Sequence, residues 1–448
     1  MFSRILPLCV ALVAQLIVCF SPAVLAARQI AFIRDTEIEA TVRAFAVPLF
    51  EAAGLDSQSV RIYLVNDRQI NAFVAGGQNL FFNTGLLTRA ENAGQVIGVI
   101  AHEIGHIEGG HLARMHDALA RGTAESILAV VLGAAAAAAG RPDVGTAVIA
   151  GGQNVALRNF LHYTRTQEGA ADAAAMRYLD ETHQSARPLL DFFEILGGQE
   201  LLSPSRQDPY LRTHPLTSDR IAAMSAFVGR SPNSDMPPIP EFERQFVRMK
   251  AKLQAFLDDP ALTLRRYRAD DNRLEARYAR AIALHRANRF DESIEVIDSL
   301  LRDHPADPYF SELKGQLLFE TAHPAEALQP YRTAVKLIPE APLLRIELAR
   351  VLLALGEPKD ISEAVGHMRI AVLREPNRPY AWRQLAIALG RDGQMGESAL
   401  ALAEEALLQG REPEAKFQAG KAQKLLPESS PGWLRAQDIL NAIKNRKE

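Results

Sequence analysis

The sequence predicts two fold classes in succession, a mixed α+β domain followed by an all-α repeat array. Alternating apolar residues and a glycine turn, set between helical stretches, predict the strands and helices of the first part. In the second part, prolines recur at a spacing of 34 residues, with small residues in a fixed order between them. The chain has 448 residues, which is enough for two large domains or three smaller ones.

Composition and charge exclude several classes of protein. Hydrophobic residues make up 48% of the chain and charged residues 23%, which excludes a disordered chain, a collagen and a multi-span membrane protein. With a net charge of −3, the near-neutral chain gives no electrostatic case for nucleic-acid binding, so we expect no nucleic-acid partner.

Residues 1–26 predict a secretory signal peptide. Arg4 supplies a positive charge, an apolar run over 5–20 follows, and small residues end the segment. The alternative is an uncleaved anchor helix, for which the run is short against the ~20 residues that a span needs. Both cysteines, Cys9 and Cys19, lie in this leader, so a metal site in the mature chain must use His, Asp or Glu. We expect a soluble, exported protein of the periplasm.

Residues 27–228 predict the α+β domain. Apolar residues at helical spacing predict a helix over 37–50, and alternation predicts a strand around 60–64. Two strand segments within 71–83 flank Gly76-Gly77 and predict a hairpin.

An apolar helical hairpin is predicted at 126–151, where two apolar arms flank an Arg-Pro-Asp turn. Each arm is too short to span a bilayer, which favours a buried hairpin over a lid or a membrane-touching element. A proline-rich linker and a connecting helix over 241–257 are predicted within 229–273.

Residues 274–448 predict tetratricopeptide repeats. Pro305 and Pro339 are 34 residues apart, the period of this repeat, and Pro376 closes a longer copy. Small residues let paired helices approach, and proline ends each second helix. We expect about four repeats and a capping helix that contains Trp433. Because such arrays bind many partners, the pattern predicts fold rather than function.

The motif HExxH, formed by His102, Glu103 and His106, carries the chemistry of the first domain. Asn92 and Gln95 form a capping-box pattern that predicts the start of its helix. The two histidines lie one turn apart on one face, which suits one Zn²⁺, and the glutamate is placed to act as general base. With 11 histidines and 53 acidic residues in the chain, roughly 0.03 such motifs are expected by chance. The motif therefore predicts a zinc hydrolase.

A catalytic zinc needs a third protein ligand. His111 stands one position before the third histidine of a metzincin and would point away from His106 on a continued helix, so we interpret it as a surface histidine. Glu168 and Asp172 lie one turn apart on a second predicted helix that is rich in alanine. We expect Glu168 to bind zinc and Asp172 to accept a hydrogen bond from a ligating histidine.

HExxH followed by ExxxD at 168–172 resembles the zinc metallopeptidase family that includes CAAX prenyl protease and HtpX. The resemblance implies a gluzincin domain with His102, His106 and Glu168 as ligands of one Zn²⁺ and Glu103 as base. With its predicted leader and its repeats, the whole chain is similar to a periplasmic member of the family. That likeness implies degradation of stalled outer-membrane β-barrel precursors, help in their assembly, and docking on the β-barrel assembly machinery through the repeats.

His214 and Arg220 match a downstream His-Pro and Arg segment of the same family. We expect Arg220 to stabilise the tetrahedral oxyanion. Three interpretations of His214 stay open. It stabilises the oxyanion, it occupies the open position of the zinc in an inhibited state, or it is a structural turn residue.

Zincins commonly hold a peptide as an added strand beside the active helix. We expect the edge strand to be Asn79, Leu80, Phe81, Phe82 and Asn83, with an interior strand as the alternative. Backbone pairing tolerates many sequences, so the expected substrates are unfolded polypeptides.

A second function stays open, in which the repeats act as a chaperone or adaptor and the zinc site is closed, gated or structural. His214 as a fourth ligand favours that function, whereas an intact Glu103 favours an enzyme. Peripheral membrane contact is expected only if the apolar hairpin at 126–151 is exposed.

Overall fold

The computed structural model describes residues 31–112, 114, 164–198 and 207–445. The predicted signal peptide and the predicted apolar hairpin lie outside these residues. Within them, no helix combines the length and the apolar character needed to cross a bilayer.

A long helix, α1 (Thr36–Ala52), opens the first domain and confirms the helix predicted over 37–50. The Asp35 carboxylate caps it by accepting a hydrogen bond from the Ile38 backbone N–H at 2.9 Å. Its apolar face is fully buried in the core of the domain, as the periodicity predicts.

A four-stranded sheet lies beside α1, in the order β1-β2-β4-β3. β2 and β4 are parallel, and the other two pairs are antiparallel. The hairpin around Gly76-Gly77 is confirmed, since both glycines have positive φ and β3 pairs with β4. The strands are β1 (Phe32–Ile33), β2 (Arg61–Val65), β3 (Ala72–Ala75) and β4 (Asn79–Asn83).

The prediction that Asn79–Asn83 is an edge strand is wrong, because β4 pairs with β2 on one side and β3 on the other. Its side chains agree with an interior position. Leu80 and Phe82 are fully buried on one face of the sheet. On the other face, the ring of Phe81 stacks on aromatic rings of both neighbouring strands. Among the described residues, β3 is the edge strand on this side of the sheet.

Two helices form the centre of the domain, α3 (Ala93–Glu108) and a helix over 164–181, here α4. Asn92 caps α3 as predicted, accepting from the Gln95 backbone N–H at 3.0 Å. The Gln95 side chain accepts from the Glu91 N–H, one residue earlier than in a capping box. Shorter helices complete the domain: α2 (Thr84–Arg89), α5 (Arg187–Gly197), α6 (Pro209–Thr213) and α7 (Ser218–Val228).

The predicted connecting helix is confirmed as α8 (Pro240–Leu257), followed by the short α9 (Pro260–Arg266). α8 packs against α1 of the first domain and against the first helix of the repeat array.

The repeat array begins with four antiparallel helix pairs. The predicted prolines lie two residues beyond the second helix of the first three pairs, and another proline opens each following pair. Two further helices follow the fourth pair. The first of them buries three alanines, Ala415, Ala419 and Ala422. The helices are α10 (Leu274–Arg286), α11 (Phe290–Asp303), α12 (Pro308–Glu320), α13 (Pro324–Leu337), α14 (Pro342–Leu355), α15 (Pro358–Arg374), α16 (Pro379–Arg391), α17 (Met395–Leu408), α18 (Glu412–Leu425) and α19 (Pro431–Asn445).

A buried group of charges joins the two domains. Lys252 of α8 lies 2.7 Å from Asp35 Oδ2 and 3.2 Å from Glu37 Oε2, with 3% of its surface exposed. Thr36 donates a hydrogen bond to Glu312 of the repeats at 2.7 Å. We call this group the interdomain cluster; its charged members are Asp35, Glu37, Arg248, Lys252, Asp307 and Glu312.

Candidate metal centre

The centre is built first on α3, which carries the HExxH motif. His102 is fully buried, and its Nε2 lies 3.1 Å from Nε2 of His106, one turn further along the helix. Glu103 is also buried, with 1% of its surface exposed. The predicted helical face therefore brings both imidazoles to one point inside the protein.

Helix α4 adds a carboxylate to the two imidazoles. Glu168 Oε2 lies 3.3 Å from His102 Nε2, and its Oε1 lies 3.5 Å from His106 Nε2. The two helices approach this closely because Gly105 has no side chain. A Cβ at that position would lie 2.8 Å from the Ala171 backbone oxygen and 3.0 Å from its Cα. The glycine inside the motif is therefore part of what lets Glu168 reach the histidines.

His214 completes the group from the end of α6. Its Nδ1 lies 3.3 Å from His102 Nε2 and 3.2 Å from Glu168 Oε2. Its ring packs on Tyr210, with the ring centroids 4.7 Å apart. One ligand atom from each of four residues, His102, His106, Glu168 and His214, lies within 4.8 Å of the others, so this group could hold a metal ion.

Asp172 lies behind His102, where the sequence places it. Its Oδ1 is 2.9 Å from His102 Nδ1, which leaves Nε2 directed at the cluster. Burial opposes charge on His102, but the adjacent carboxylates of Asp172 and Glu168 raise its pKa to about 9. The two carboxylates thus favour positive charge at this point, and the same electrostatics favours a bound cation.

Arg220 does not occupy the place predicted for it. Its Nε and Nη2 donate to Asp172 at 2.6 and 2.8 Å, and its Nη1 donates to the Pro215 carbonyl at 2.8 Å. Nη1 also lies 3.1 Å from Glu168 Oε2. Because the guanidinium is buried and its donors are committed to these groups, Arg220 holds two carboxylates rather than facing an oxyanion.

His111, which the sequence predicts to lie on the surface, is buried and contacts His106. It is 5% exposed, and its Nδ1 lies 2.9 Å from Nδ1 of His106. The helix stops at Gly109, Gly110 adopts a φ of +59°, and the chain turns His111 back. A Cβ on Gly109 would lie 2.4 Å from the His111 ring, so both glycines are required. Two glycines directly after the motif were the signal for this turn.

His106 is held in its neutral form by this arrangement. Burial and the neighbouring His102 and His214 lower its pKa to about 2. A metal ion bound at Nε2 would place the proton of neutral His106 on Nδ1, from which it can be donated to His111 Nδ1. Each candidate histidine ligand on α3 is therefore oriented from behind, one by a carboxylate and one by an imidazole.

The donor set fits a divalent metal ion. Glu103, Glu168 and Asp172 contribute three carboxylates, and Arg220 contributes one guanidinium, so two negative charges remain when all are ionised. Although burial opposes ionisation, the neighbouring cationic groups hold the pKa values of Glu168 and Asp172 below the usual range.

Glu103 is the one acid of the group without a hydrogen bond. Both of its oxygens are buried and unpartnered, and the nearest ring nitrogen, His214 Nε2, is 3.4 Å from Oε1. Burial raises the pKa of this carboxyl group. A buried carboxylate that protein groups leave unbonded beside a metal-binding group is placed to accept a proton from water.

A cavity of about 420 Å³ extends from the sheet to His106, the one residue of the centre in its described lining. It lies between the β3–β4 hairpin and the end of α3, and Val74 and His106 both line it. β3, the edge strand of the described residues, therefore runs beside the opening. The interior strand β4 does not.

Comparison with known families follows the two parts of the chain. Residues 33–228 match the profile described as "Peptidase family M48", and residues 261–309 and 278–342 match "Tetratricopeptide repeat". The first match spans the HExxH motif, Glu168, His214 and Arg220. It supports a metalloprotease, and the second match agrees with the helical array.

Curated relatives share most of the chain. The chain is similar to a "Beta-barrel assembly-enhancing protease" of Yersinia pestis, with 27% identity over 78% of this chain and 71% of that protein. The protein of the same name from Escherichia coli K12 is 25% identical, over 73% of this chain and 67% of its own length. Among solved structures, the tetratricopeptide protein YrrB aligns with a TM-score of 0.33 and 17% identity, over 39% of this chain and 91% of that one.

Proposed function

We propose that this chain is a zinc-dependent endopeptidase of the periplasm, since its residues 33–228 match the profile described as "Peptidase family M48". Its proposed substrates are unfolded or misassembled outer-membrane β-barrel proteins. One observation carries the proposal. Two histidines and a glutamate converge on one point beside a second, unbonded glutamate, all of them inside the first domain.

We assign zinc as the metal, held by His102, His106 and Glu168. Two imidazoles and one carboxylate are a donor set typical of hydrolytic zinc sites. When bound, zinc supplies a Lewis acid that lowers the pKa of water and polarises a carbonyl group. The remaining chemistry belongs to the side chains around it.

Glu103 is the proposed general base. It accepts a proton from the attacking water and passes it to the leaving amine. Burial raises the pKa of Glu103 toward neutral pH, which suits a group that first accepts a proton and then donates it. Asp172 and His111 keep the two imidazoles oriented, and Arg220 keeps Asp172 in place.

Peptide capture is proposed along β3 instead of β4. An extended chain would add to the edge of the sheet beside the cavity that reaches His106. Pairing through the backbone requires an extended chain, so folded proteins are excluded and unfolded segments are accepted. This supports the expectation of unfolded polypeptide substrates.

The biological setting is proposed from the relatives. Their names describe proteases that enhance β-barrel assembly, and the repeat array offers a docking surface for a protein partner. We therefore propose that the array docks on the β-barrel assembly machinery and that the chain is exported by the predicted leader. Assistance in assembly, apart from proteolysis, belongs to the same proposal.

Zinc-loaded mature protein and its Glu103→Gln variant test the enzyme. We expect the wild type to cleave casein, an unfolded protein, and the variant to lose about 10³-fold in rate, since a positioned base supplies 10²- to 10⁴-fold. Metal analysis provides the control, because Glu103 is not a proposed ligand and the variant should keep one zinc per chain. Equal cleavage by both proteins would exclude Glu103 as the base.

A second function is favoured by the position of His214. Its Nδ1 is as close to Glu168 as the histidines of the motif are, so a fourth ligand would close the site. The protein would then act mainly as a chaperone or adaptor, with a gated peptidase. His214→Ala separates the alternatives. A gain in casein cleavage supports an inhibitory ligand, and a loss supports transition-state stabilisation.

A further inference from the structure

The outer face of the sheet carries one aromatic ring on each of its four strands. Tyr63 and Phe81 stack with centroids 4.9 Å apart, and Phe81 stacks on Phe73 at the same distance. Phe32 of β1 lies 5.8 Å from Tyr63. We call these four rings the aromatic row. It crosses the sheet from β1 to the edge strand β3.

The aromatic row lies on the face of the sheet opposite the core. The residues that alternate with it, such as Leu64 and Leu80, are buried against the helices of the domain. The rings themselves keep contact with solvent, and half of the surface of Phe32 is exposed. Arg378 of the repeat array stands over Tyr63, 5.1 Å from its centroid.

The row ends at Phe73, where the sheet has its open edge. Asn83 donates its backbone N–H to the Asn71 carbonyl, and hydrogen-bonded pairs alternate along an antiparallel ladder. Phe73 therefore bonds to its partner Phe81, and the N–H and C=O groups of Ala72 and Val74 point away from β4. Among the described residues, these groups have no hydrogen-bond partner on that side. Ala72 is fully buried, whereas Val74 is partly exposed and lines the cavity, so a further strand would pair with β3 at its Val74 end.

A chain that pairs with β3 would continue the pleat of the sheet. Its residue opposite Phe73 would form a non-hydrogen-bonded pair, the arrangement in which facing side chains come closest. That side chain would stand beside Phe73 on the outer face. The adjacent residues of the chain would point to the other face, where Val74 and His106 line the cavity.

We propose that Phe73 is a specificity-determining residue that selects an aromatic side chain in the substrate segment paired with β3. The inference rests on the proposed peptidase function and names the class of substrate: extended segments in which an aromatic residue alternates with the residues that face the metal centre. Transmembrane β-strands have this pattern, since their outward residues are apolar and aromatic residues mark both ends.

The alternative is that the aromatic row only stabilises the sheet through cross-strand pairs. Phe32 offers a matched control, because it belongs to the same row and lies at the opposite end from the open edge. Loss of either ring should weaken the sheet, whereas only loss of Phe73 should change the choice of substrate.

The test measures binding, so that it does not depend on turnover. Zinc-loaded Glu103→Gln protein is titrated with fluorescein-labelled ten-residue peptides of alternating Thr and Val. In each peptide one central residue, at one of four successive positions, is replaced by Phe or by Ala. We expect Phe to bind about five- to tenfold more tightly than Ala at alternate positions only, since an aromatic pair adds a favourable ring contact to the burial of its surface. The added variant Phe73→Ser should reduce that preference below about twofold, and Phe32→Ser should keep it.

Three results would overturn the inference: no binding of any peptide, no preference for Phe at any position, or an equal loss of preference in both Ser variants. Phe73→Leu guards against misfolding, because it keeps an apolar side chain, and it should still lose the aromatic part of the preference for Phe over Ala. Casein cleavage by the wild type separates this inference from the proposed function. Cleavage without aromatic preference overturns the role of Phe73 alone, and aromatic preference without cleavage overturns the peptidase alone.

Discussion

Two buried groups of charge, the interdomain cluster and the metal centre, carry an excess of carboxylates and balance it differently. In the interdomain cluster, Lys252 and Arg248 provide permanent cations. Burial raises the pKa of Glu312 there to about 8, so this acid keeps its proton at neutral pH. In the metal centre, neighbouring imidazole and guanidinium groups hold Glu168 and Asp172 in the ionised form, and the remaining charge suits a divalent ion.

The difference separates a joint from a reactive site. In the interdomain cluster, ion pairs with Lys252 and Arg248 hold the carboxylates of Asp35, Glu37 and Asp307, which suits a fixed contact between two domains. The metal centre leaves Glu103 without a hydrogen bond, which suits a group that must exchange protons. Four substitutions test this contrast, two in each cluster.

Removing Lys252 should have the largest effect. Lys252→Met leaves Asp35 and Glu37 without their buried cation, and breaking such a pair costs about 3–5 kcal/mol of unfolding free energy. Urea denaturation measures the loss. Lys314→Met is the control, since its pair with Asp298 is partly exposed and is worth at most about 1 kcal/mol. Equal losses in the two variants would contradict a buried joint.

Glu312 should make stability depend on pH. Its folded pKa of about 8 lies above its unfolded value, so the folded protein holds an extra proton and loses stability as pH rises from about 5 to 8. Glu312→Gln removes that proton uptake and should be more stable than the wild type at pH 8 by roughly 2–3 kcal/mol, with little difference at pH 5. Melting curves across this range measure it, and Glu340→Gln, on an exposed carboxylate, should follow the wild type.

Gly105 tests the close approach of the helices at the metal centre. Gly105→Ala forces α3 away from Ala171 and moves Glu168 from the histidines, so zinc affinity should fall about 10- to 100-fold. Strain in the core should cost about 1–3 kcal/mol. Zinc competition with a chromophoric chelator measures the affinity. Gly169→Ala is the control, because nothing lies near its Cβ, and wild-type affinity in both variants would refute the explanation.

His111 should have the smallest effect on the same centre. His111→Ala removes the acceptor behind His106, and the loss of such a partner lowers metal affinity about tenfold. His111→Gln should restore part of the affinity, since its side chain can accept the same proton. His304→Ala, on an exposed histidine of the repeats, should leave the affinity unchanged. Unchanged metal affinity in the His111→Ala protein would show that His111 only packs against His106 and does not support metal binding.

Local sequence patterns predicted the helices and strands of the fold, but they did not predict which strands lie side by side in the sheet. The periodicity of α1, the cap at Asn92 and the prolines of the repeats act within one or two turns, so the sequence displays them. The place of β4 depends on parallel pairing with β2, which alternation does not encode. An interior strand and an edge strand can show the same pattern.

The candidate site divides in the same way. HExxH and the Glu168–Asp172 pair each lie on one helix, and their fixed spacing made them visible. The contact between Arg220 and Asp172 depends on how α7 packs against other elements. The spacing of these two residues in the sequence does not predict it. His111 was hidden by the assumption that the helix continues, although Gly109 and Gly110 argued for a turn.

The ion pair between Arg34 and Glu375 joins residues that are 341 positions apart, at a distance of 2.7 Å. Loop closure over such a length is slow, so contacts of this kind form late in folding. During synthesis, the first domain emerges and can fold long before the third helix pair of the array exists. The two domains therefore lock together only after nearly the whole chain has appeared, and a chain truncated before residue 375 would expose the junction.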